Sequence, residues 1–442
     1  MLLFATCTVA TALLQQQPRR AEALKFTSFH EADPATTLVV DCTHPTCRQL
    51  THHLKVKGQR ELHLGLSSLR ADSTTEQVLL AVKSPSLPLA PFRHVSTNHF
   101  DVDSFLSVWT ACNPQVALSH YNVLKVAAMI GDFRELSLSS EDGDETAFKA
   151  LALVCWLNSE EKRLFYKPFE GSISRAMGEG EEGDEKFNYF LPKFQEVLED
   201  PMKFADEWKE EYQRVVQEYS MLHSSSVGGG SPSSSSSFEH FRDISLVVVK
   251  SPSPLHYYAL FSASIGADVV LSIYSGNRYE LEIKYTTYID LHSRPCLPRV
   301  ELEPLVKRLN ELELELELEL ELQLELGTET ETKPMTGARA DQAVEWFANR
   351  INDSGPLCRL EAKAAKHLTK AERYGHPFER PIYSSSIPPK FFEETVRSFF
   401  AHAYAYSSSS SSSSSSPQRY RKDWTWADYT AFNRNIDWSK TW

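Results

Sequence analysis

The segment 94–109, HVSTNHFDVDSFLSVW, holds the residues whose types and spacing best suit chemistry. His99, Asp101 and Asp103 recur at every second position, and in an extended backbone this period places their side chains on one face. One imidazole and two carboxylates that converge on one point are suitable ligands for a divalent cation such as Mn²⁺ or Mg²⁺. We therefore predict a metal site in this segment.

Strands and helices alternate in the hydrophobic pattern around this segment. In chain order, the pattern predicts a strand at 38–40, a helix at 45–55, a helix at 74–83 opened by a capping box at Ser73, an extended segment at 92–98, and a helix at 104–112 capped by Asp103. This order predicts a parallel sheet whose functional crevice lies at the carboxyl ends of its strands. Asp41 follows the first strand, so it is a further candidate ligand, unless it only caps the helix after it.

A second additional ligand comes from the next helix. Asn113-Pro114 starts an amphipathic pattern that we expect to end at Gly131, and Asp132 follows directly. Helices at 146–157, 187–199 and 202–221 are then predicted to complete this part of the chain.

Composition divides the chain into five parts. We predict a leader at 1–23, an α/β domain at 24–222, a Ser/Gly linker at 223–237, a smaller α+β domain at 238–402, and a serine tract with an aromatic tail at 403–442. In the second domain we predict a mostly antiparallel sheet from strands at 245–250, 257–262, 269–274 and 279–285, with helices at 301–310, 341–351 and 389–400. The Glu-Leu insert at 311–332 is predicted to extend a helix or to be disordered. The fold class is therefore α/β, a parallel-sheet domain with crossover helices followed by a smaller α+β domain.

Charge disfavours a nucleic-acid partner. The net charge is −13, and removing the nine glutamates between Glu311 and Glu331 leaves −4 with no basic stripe for a phosphate backbone. We expect a small phosphorylated substrate instead. The tail carries Trp424, Trp426, Trp438 and Trp442 behind a cap predicted at Asp423, and we expect these rings to dock on the chain's own domains.

The compartment is predicted from the cysteines and the leader. Seven cysteines without any C-x-x-C pair indicate a reducing compartment, so we predict a cytoplasmic protein. The apolar run 1–14 is too short to cross a bilayer, and Arg19 and Arg20 follow it instead of preceding it. The absence of acidic residues from 1 to 21 leaves an organelle transit segment as the alternative.

The motif NHFDVDSFLS resembles the first motif of the Asp-His-His (DHH) phosphoesterase superfamily, His-x-Asp-x-Asp followed by a helix that carries a serine. The resemblance implies an α/β domain with a smaller C-terminal domain, and it implies that His99, Asp101 and Asp103 are metal ligands. The chain is also similar to an uncharacterised family of plant and bacterial proteins that shares the HFDVD, MIGDF and SRP segments.

The Asp-His-His triplet itself does not occur in this chain. Asp132 could replace the isolated aspartate of the family, and His120 or the pair Asp290 and His292 could supply the later ligands. Two ions bridged by Asp103 would then activate a water for attack on a phosphate ester or anhydride. Arg294 could bind the phosphate through its planar guanidinium, or it forms an ordinary ion pair.

Two alternatives stay open at this point. A non-catalytic binding or scaffold protein would keep the DHH-like fold without the second half of the site, whereas an enzyme requires ligands from at least two other segments within about 5 Å of the His99 cluster. A second group, Cys42, His44, Cys47, His52 and His53, has spacings that match no common structural zinc pattern.

Overall fold

The computed structural model describes residues 23–65, 68–84, 89, 91–138, 145–165, 181–224, 236–325, 344–363, 382–409, 424–440 and 442. The strands are β1 (Lys25–Phe26), β2 (Thr37–Val40), β3 (Arg48–Leu50), β4 (His94–Ser96), β5 (Ser237–Phe241), β6 (Leu246–Ser251), β7 (Val269–Tyr274), β8 (Arg278–Ile283), β9 (Val344–Ala348) and β10 (Leu357–Ala362). The helices are α1 (Gln59–Leu62), α2 (Thr74–Lys83), α3 (Val102–Cys112), α4 (Pro114–Ser119), α5 (Tyr121–Phe133), α6 (Glu145–Phe165), α7 (Glu181–Glu199), α8 (Ala205–Ser224), α9 (Tyr257–Ser262), α10 (Glu303–Glu325), α11 (Pro389–Ser409) and α12 (Trp426–Arg434). Short 3-10 turns cover Phe29–Glu31, Pro201–Phe204 and Tyr285–Thr287.

The first sheet confirms the predicted α/β fold class. Its four strands lie in the order β1-β4-β2-β3, and every neighbouring pair is parallel. All four residues of β2 are buried, as expected for a strand covered on both faces. Helices α2, α3, α5, α6 and α7 share one hydrophobic core with this sheet. The carboxyl ends of β2, β3 and β4 therefore meet at one edge.

Strand β3 replaces the helix predicted at 45–55. Residues Arg48–Leu50 pair in parallel with β2, and the side chains of Gln49 and Leu50 are fully buried. A parallel partner was available beside β2, and pairing with it satisfied the backbone of this segment better than an isolated turn of helix. As a result, the residues after Leu50 lie at the same sheet edge as Asp41.

The cap of α3 also differs from the prediction. Asp101, not Asp103, is the N-cap. Its Oδ1 accepts from the backbone N–H of Ser104 at 2.8 Å, and Ser104 Oγ accepts from the backbone N–H of Asp101 at 2.8 Å. The capping box predicted at Ser73 is present in part, since Ser73 Oγ accepts from Glu76 N–H at 3.2 Å. The carboxylate of Asp103 is therefore available to accept hydrogen bonds from a different helix, α2.

The prediction that the helix ends at Gly131 is wrong, because Gly131 lies inside α5. The helix continues to Phe133 and ends where Arg134 adopts a left-handed conformation at φ 58°. A Cβ atom on Gly131 would lie only 2.3 Å from Cβ of Val102 in α3. The glycine therefore permits close contact between α5 and α3, which brings Asp132 next to the start of α3.

The second sheet has the order β5-β6-β7-β8-β10-β9 and is antiparallel except between β6 and β7. The segment predicted as a strand at 257–262 is helix α9, since two adjacent parallel strands need a crossover between them. Within the helix predicted at 341–351, residues Val344–Ala348 instead form strand β9, which pairs with β10. Short apolar runs do not distinguish a buried helix from a buried strand, which explains both errors.

The Glu-Leu repeat continues α10 as a helix as far as Glu325, and the rest of the insert lies outside the described residues. Most of the predicted linker at 223–237 also lies outside the described residues, and so does the predicted cap Asp423. Thr425 caps α12 instead. The tail packs on the chain itself: Trp438 stacks on Phe399 at 4.7 Å between ring centroids, and Trp426 lies 5.3 Å from Tyr288.

Two further features concern the environment of the protein. Six cysteines lie in the described part of the chain, and all six are free thiols. None of the helices described here combines the length and the apolar character that a bilayer crossing requires.

Replacing Gly131 by alanine tests the close contact between α3 and α5. We expect the Gly131→Ala variant to lose about 1–3 kcal/mol of unfolding free energy, because the new methyl group overlaps Val102. Urea denaturation measures this loss. Gly183→Ala is the matched control, since the added Cβ meets nothing within 4 Å in α7 and alanine favours a helix. Equal stability of Gly131→Ala and the native protein would contradict the assignment.

Candidate metal centre

Four chain segments bring acidic and imidazole side chains to the carboxyl edge of the first sheet. Asp41 follows β2, His52 and His53 follow β3, and His99 and Asp101 follow β4. Asp103 lies in the first turn of α3, and Asp132 lies in the last turn of α5. The edge is the place where parallel α/β sheets ordinarily bind ligands.

Asp41 is at the centre of this cluster and is completely buried. Its Oδ1 lies 3.3 Å from His52 Nε2 and 3.6 Å from His53 Nε2, whereas its Oδ2 lies 3.4 Å from His99 Nε2. The two oxygens of one carboxylate thus face two different sets of imidazoles. Asp41 also has φ 56°, a left-handed conformation that aspartate tolerates better than most residues and that turns its side chain out of the strand direction.

The hydrogen bonds of His52 fix which of its nitrogens carries the proton. Nδ1 lies 2.6 Å from the carbonyl oxygen of Asp72, which only accepts, so Nδ1 is the donor. Burial, together with the charge of His53, lowers the pKa of His52 to about 4, which keeps the ring neutral near pH 7. The lone pair of Nε2 therefore faces Asp41 Oδ1 and, at 3.6 Å, Asp132 Oδ2. A ring nitrogen whose lone pair faces two carboxyl groups is a candidate ligand for a cation.

His99 joins the centre from the opposite side. Its Nε2 lies 3.2 Å from Asp101 Oδ2, and its Nδ1 lies 2.9 Å from Asn98 Oδ1. Burial lowers the pKa of His99, but the charges and hydrogen bonds of Asp101 and Asp41 outweigh burial and raise it well above its ordinary value. The pKa of Asp101 is lowered, because the His99 charge and hydrogen bond outweigh the opposite effect of burial. These two side chains, 27% and 41% exposed, form the open side of the centre.

Asp103 is buried at the N-terminus of α2 rather than at that of its own helix. Its two carboxylate oxygens accept from the backbone N–H groups of Thr74 and Thr75 at 2.7 and 2.9 Å. Burial, followed by the charge of Asp41, still raises its pKa well above the ordinary value. Burial, followed by the charge of Asp103, also raises the pKa of Asp132 well above its ordinary value. The Oδ2 of Asp132 has no hydrogen-bond partner among the described residues. Among the described residues, neither carboxyl forms an ion pair with a lysine or an arginine.

Three overlapping groups in the described chain could hold a metal ion, each with its ligand atoms within 4.8 Å of one another. They are Asp41 with His52 and His53, Asp41 with His99 and Asp101, and His52 with Asp103 and Asp132. The five ligands predicted from the sequence therefore all lie in this cluster, and ligands from other segments lie within the 5 Å that an enzyme requires. Asp41 is the carboxylate that belongs to two of these groups, whereas Asp103, the predicted bridge, belongs to one and accepts from the N-terminus of α2.

His52 and His53 are the two site residues that are not among the predicted ligands. The predicted helix at 45–55 would have spread them away from the sheet edge, whereas β3 delivers them there. A usable signal was present in the sequence: the pair follows the short segment Arg-Gln-Leu-Thr, as Asp41 follows its own strand.

The second half of the chain covers this centre. The hydroxyl group of Tyr285 lies 3.1 Å from His53 Nε2, and the carboxylate of Asp72 accepts from the backbone N–H groups of His292 and Ser293 at 2.6 and 2.9 Å. Asp290 donates its backbone N–H to the carbonyl of His52 and forms an ion pair with Lys55 at 3.1 Å. Asp290 and His292 therefore hold the loop of His52 and are not among the grouped ligands.

Arg294, the predicted phosphate-binding residue, and His120, the candidate for a later ligand or for substrate binding, do not join the cluster. The guanidinium of Arg294 bonds Asp268 Oδ1 and Glu135 Oε1, both at 3.0 Å, so it forms the ion pair that was the alternative to phosphate binding. His120 precedes α5 at the end opposite Asp132, about 18 Å away along the helix axis. Neither side chain is positioned for a substrate at the metal centre.

Comparison with known proteins places the chain in a family without assigning a reaction. A family model described as "Family of unknown function (DUF6687)" matches residues 22–411, so the chain belongs to that family. No curated protein and no solved structure matches it. The metal-binding interpretation therefore depends on the geometry of the seven side chains.

Binding of Mn²⁺ tests that geometry directly. We expect Mn²⁺ to stabilise the native protein by about 2.7 kcal/mol when its concentration is one hundred times the dissociation constant, and EDTA to reverse the effect. Thermal denaturation and calorimetric titration measure it. Asp41→Asn keeps an acceptor for Thr74 but loses the shared charge, so the stabilisation should disappear. His120→Ala is the control that should keep it, and full stabilisation of Asp41→Asn would refute the site.

Proposed function

We propose that this DUF6687 protein is a metal-dependent hydrolase that acts on a phosphate ester or anhydride. The single observation that carries the proposal is the buried carboxylate of Asp41, whose two oxygens face His52 and His53 on one side and His99 on the other. A carboxylate placed between two sets of ligands is suited to hold two cations close together. Paired cations of this kind occur in phosphatases and nucleases.

The donor set fits a divalent cation of intermediate hardness. Four carboxylates and three imidazoles are available, and the N–H of His52 is already donated away from the centre, which leaves its Nε2 free to ligate. Mg²⁺ prefers oxygen ligands and Mn²⁺ accepts nitrogen as well, so the imidazoles favour Mn²⁺. When bound, such ions supply Lewis-acid chemistry: they increase the acidity of water and polarise a phosphoryl oxygen.

The residues of the chain supply positioning and restrict access. Asp72, Asp290 and His292 fix the loop of His52, so two imidazoles are oriented before any ligand arrives. The approach to the centre is from the side of His99, where a recess of about 250 Å³ is lined by Ser28, Phe29, His30, Thr97, Asn98 and His99 among others. This volume is small compared with typical ligand pockets of about 300–1,000 Å³. The substrate should accordingly be a small phosphorylated molecule and not a polymer.

The proposed compartment is the cytoplasm. The six described cysteines are unpaired, and Cys42, Cys47, Cys155 and Cys358 are buried. Cysteines that stay free and buried are typical of reducing surroundings.

Phosphate release in the presence of Mn²⁺ tests the proposed reaction. The substrates are p-nitrophenyl phosphate, its bis-ester and inorganic pyrophosphate, which represent monoesters, diesters and anhydrides. We expect Asp101→Asn to reduce kcat/KM at least about 100-fold, because a ligand carboxylate is lost while asparagine keeps the N-cap of α3. The control is Arg294→Gln, which removes a guanidinium whose ion-pair partners in the described part of the chain, Asp268 and Glu135, lie outside the metal centre.

Two results would count against the proposal in different ways. Equal activity of Asp101→Asn and the native protein would remove Asp101 from the site. Tight Mn²⁺ binding without phosphate release from any of the three substrates would favour the non-catalytic binding protein.

A further inference from the structure

Tyr285 brings a hydroxyl group from the second half of the chain into the metal centre. It opens the 3-10 turn Tyr285–Thr287, two residues after the end of β8. Its oxygen lies 3.1 Å from His53 Nε2 and 3.5 Å from His52 Nε2. These two nitrogens are the partners that the described structure gives the hydroxyl. Both are also ligand atoms of the group that Asp41 completes.

The ring of Tyr285 is held firmly in this direction. Tyr288 stacks on it with ring centroids 5.6 Å apart, and Phe133 lies at 6.3 Å on α5. The backbone N–H of Tyr288 also closes the turn on the carbonyl of Tyr285 at 2.7 Å. The hydroxyl is therefore aimed at the centre by packing, and it does not depend on the ligands for its orientation.

Cation binding changes what this hydroxyl can bond to. In the proposed function, the lone pairs of His52 Nε2 and His53 Nε2 ligate a metal ion, so they no longer accept from Tyr285. Burial, followed by the charges of Asp132 and Asp41, raises the pKa of Tyr285 well above its ordinary value, so the hydroxyl keeps its proton at neutral pH. A hydroxyl in such surroundings needs an acceptor, and the group that enters the centre with negatively charged oxygens is the substrate.

We propose that Tyr285 is a catalytic residue that donates a hydrogen bond from its hydroxyl group to a phosphoryl oxygen of the substrate. The inference rests on the proposed function and adds to it a residue outside the metal ligands. No proton is transferred; the hydrogen bond stabilises the negative charge on that oxygen, as preorganised donors do in other hydrolases. The second half of the chain would then contribute directly to the chemistry and would not only cover the site.

The test compares the native protein with Tyr285→Phe and Tyr279→Phe, all full-length and loaded with Mn²⁺. Tyr279 is the matched control, because its buried hydroxyl donates to the carbonyl of Ile387 at 2.7 Å in the other core. Three quantities are measured: Mn²⁺ affinity, affinity for inorganic phosphate, and kcat for phosphate release. Tyr285→Phe should bind Mn²⁺ as the native protein does, bind phosphate about tenfold more weakly and lose about 10- to 100-fold in kcat. Tyr279→Phe should change none of the three, although its melting temperature should fall.

Each other outcome overturns the inference in a recognisable way. Unchanged phosphate affinity and kcat in Tyr285→Phe would exclude the hydrogen bond while leaving the proposed function intact. A parallel loss of Mn²⁺ affinity would show that the hydroxyl only positions His53. Failure of the Mn²⁺-loaded native protein to bind phosphate at all would refute the proposed function together with this inference.

Discussion

The rest of the structure depends on a cluster of carboxylates that, taken together, has too little positive charge around it. Asp41 shares its pocket with Asp101, Asp103 and Asp132, and the ion-pair partners that the described chain gives these groups are histidines alone. One of these histidines, His52, is kept neutral by burial. Burying charge without compensation is expensive, so natural proteins pair such carboxylates or use them to bind cations. The raised pKa values of Asp103 and Asp132 show the same shortage of positive charge.

The surrounding elements can be understood as means of holding these groups together. Three local backbone features contribute. Asp41 has a left-handed conformation, Gly131 lets α5 approach α3, and the N-terminus of α2 binds Asp103. A second layer of hydrogen bonds, from Asp72 and Asp290, ties the loop of His52 to the distant segment near residue 290. Metal ligands in proteins commonly rely on such outer partners for their orientation. The two halves of the chain are therefore joined at the centre itself.

The sequence was informative where local rules agreed with the tertiary structure. Periodicity and capping predict the parallel sheet, α2 with its cap, and α3. The sheet-edge rule predicts that Asp41 and Asp132 lie in the same cluster as His99. The sequence was misleading where a long-range partner decided the outcome. Strand β3 forms because β2 offers it a parallel partner, and α9 forms because the parallel strands β6 and β7 need a crossover. Neither pairing can be recognised from the residues of the segment itself. His52 and His53 are absent from the predicted ligands because the segment before them is predicted as a helix and not as a strand.

The docked tail has a consequence for how the protein is made. Trp426 donates its backbone N–H to the carbonyl of Lys55 at 3.2 Å, and its ring lies on Tyr288, which in turn contacts His53 at 5.7 Å. Ribosomes add roughly 5–20 residues per second, so the roughly 150 residues between Asp132 and Tyr285 require about 8–30 s. The contacts that Tyr285 and Trp426 make with the loop of His53 and with Tyr288 can form only after those residues have been synthesised. The cover of the centre is therefore the last part of the site to be completed.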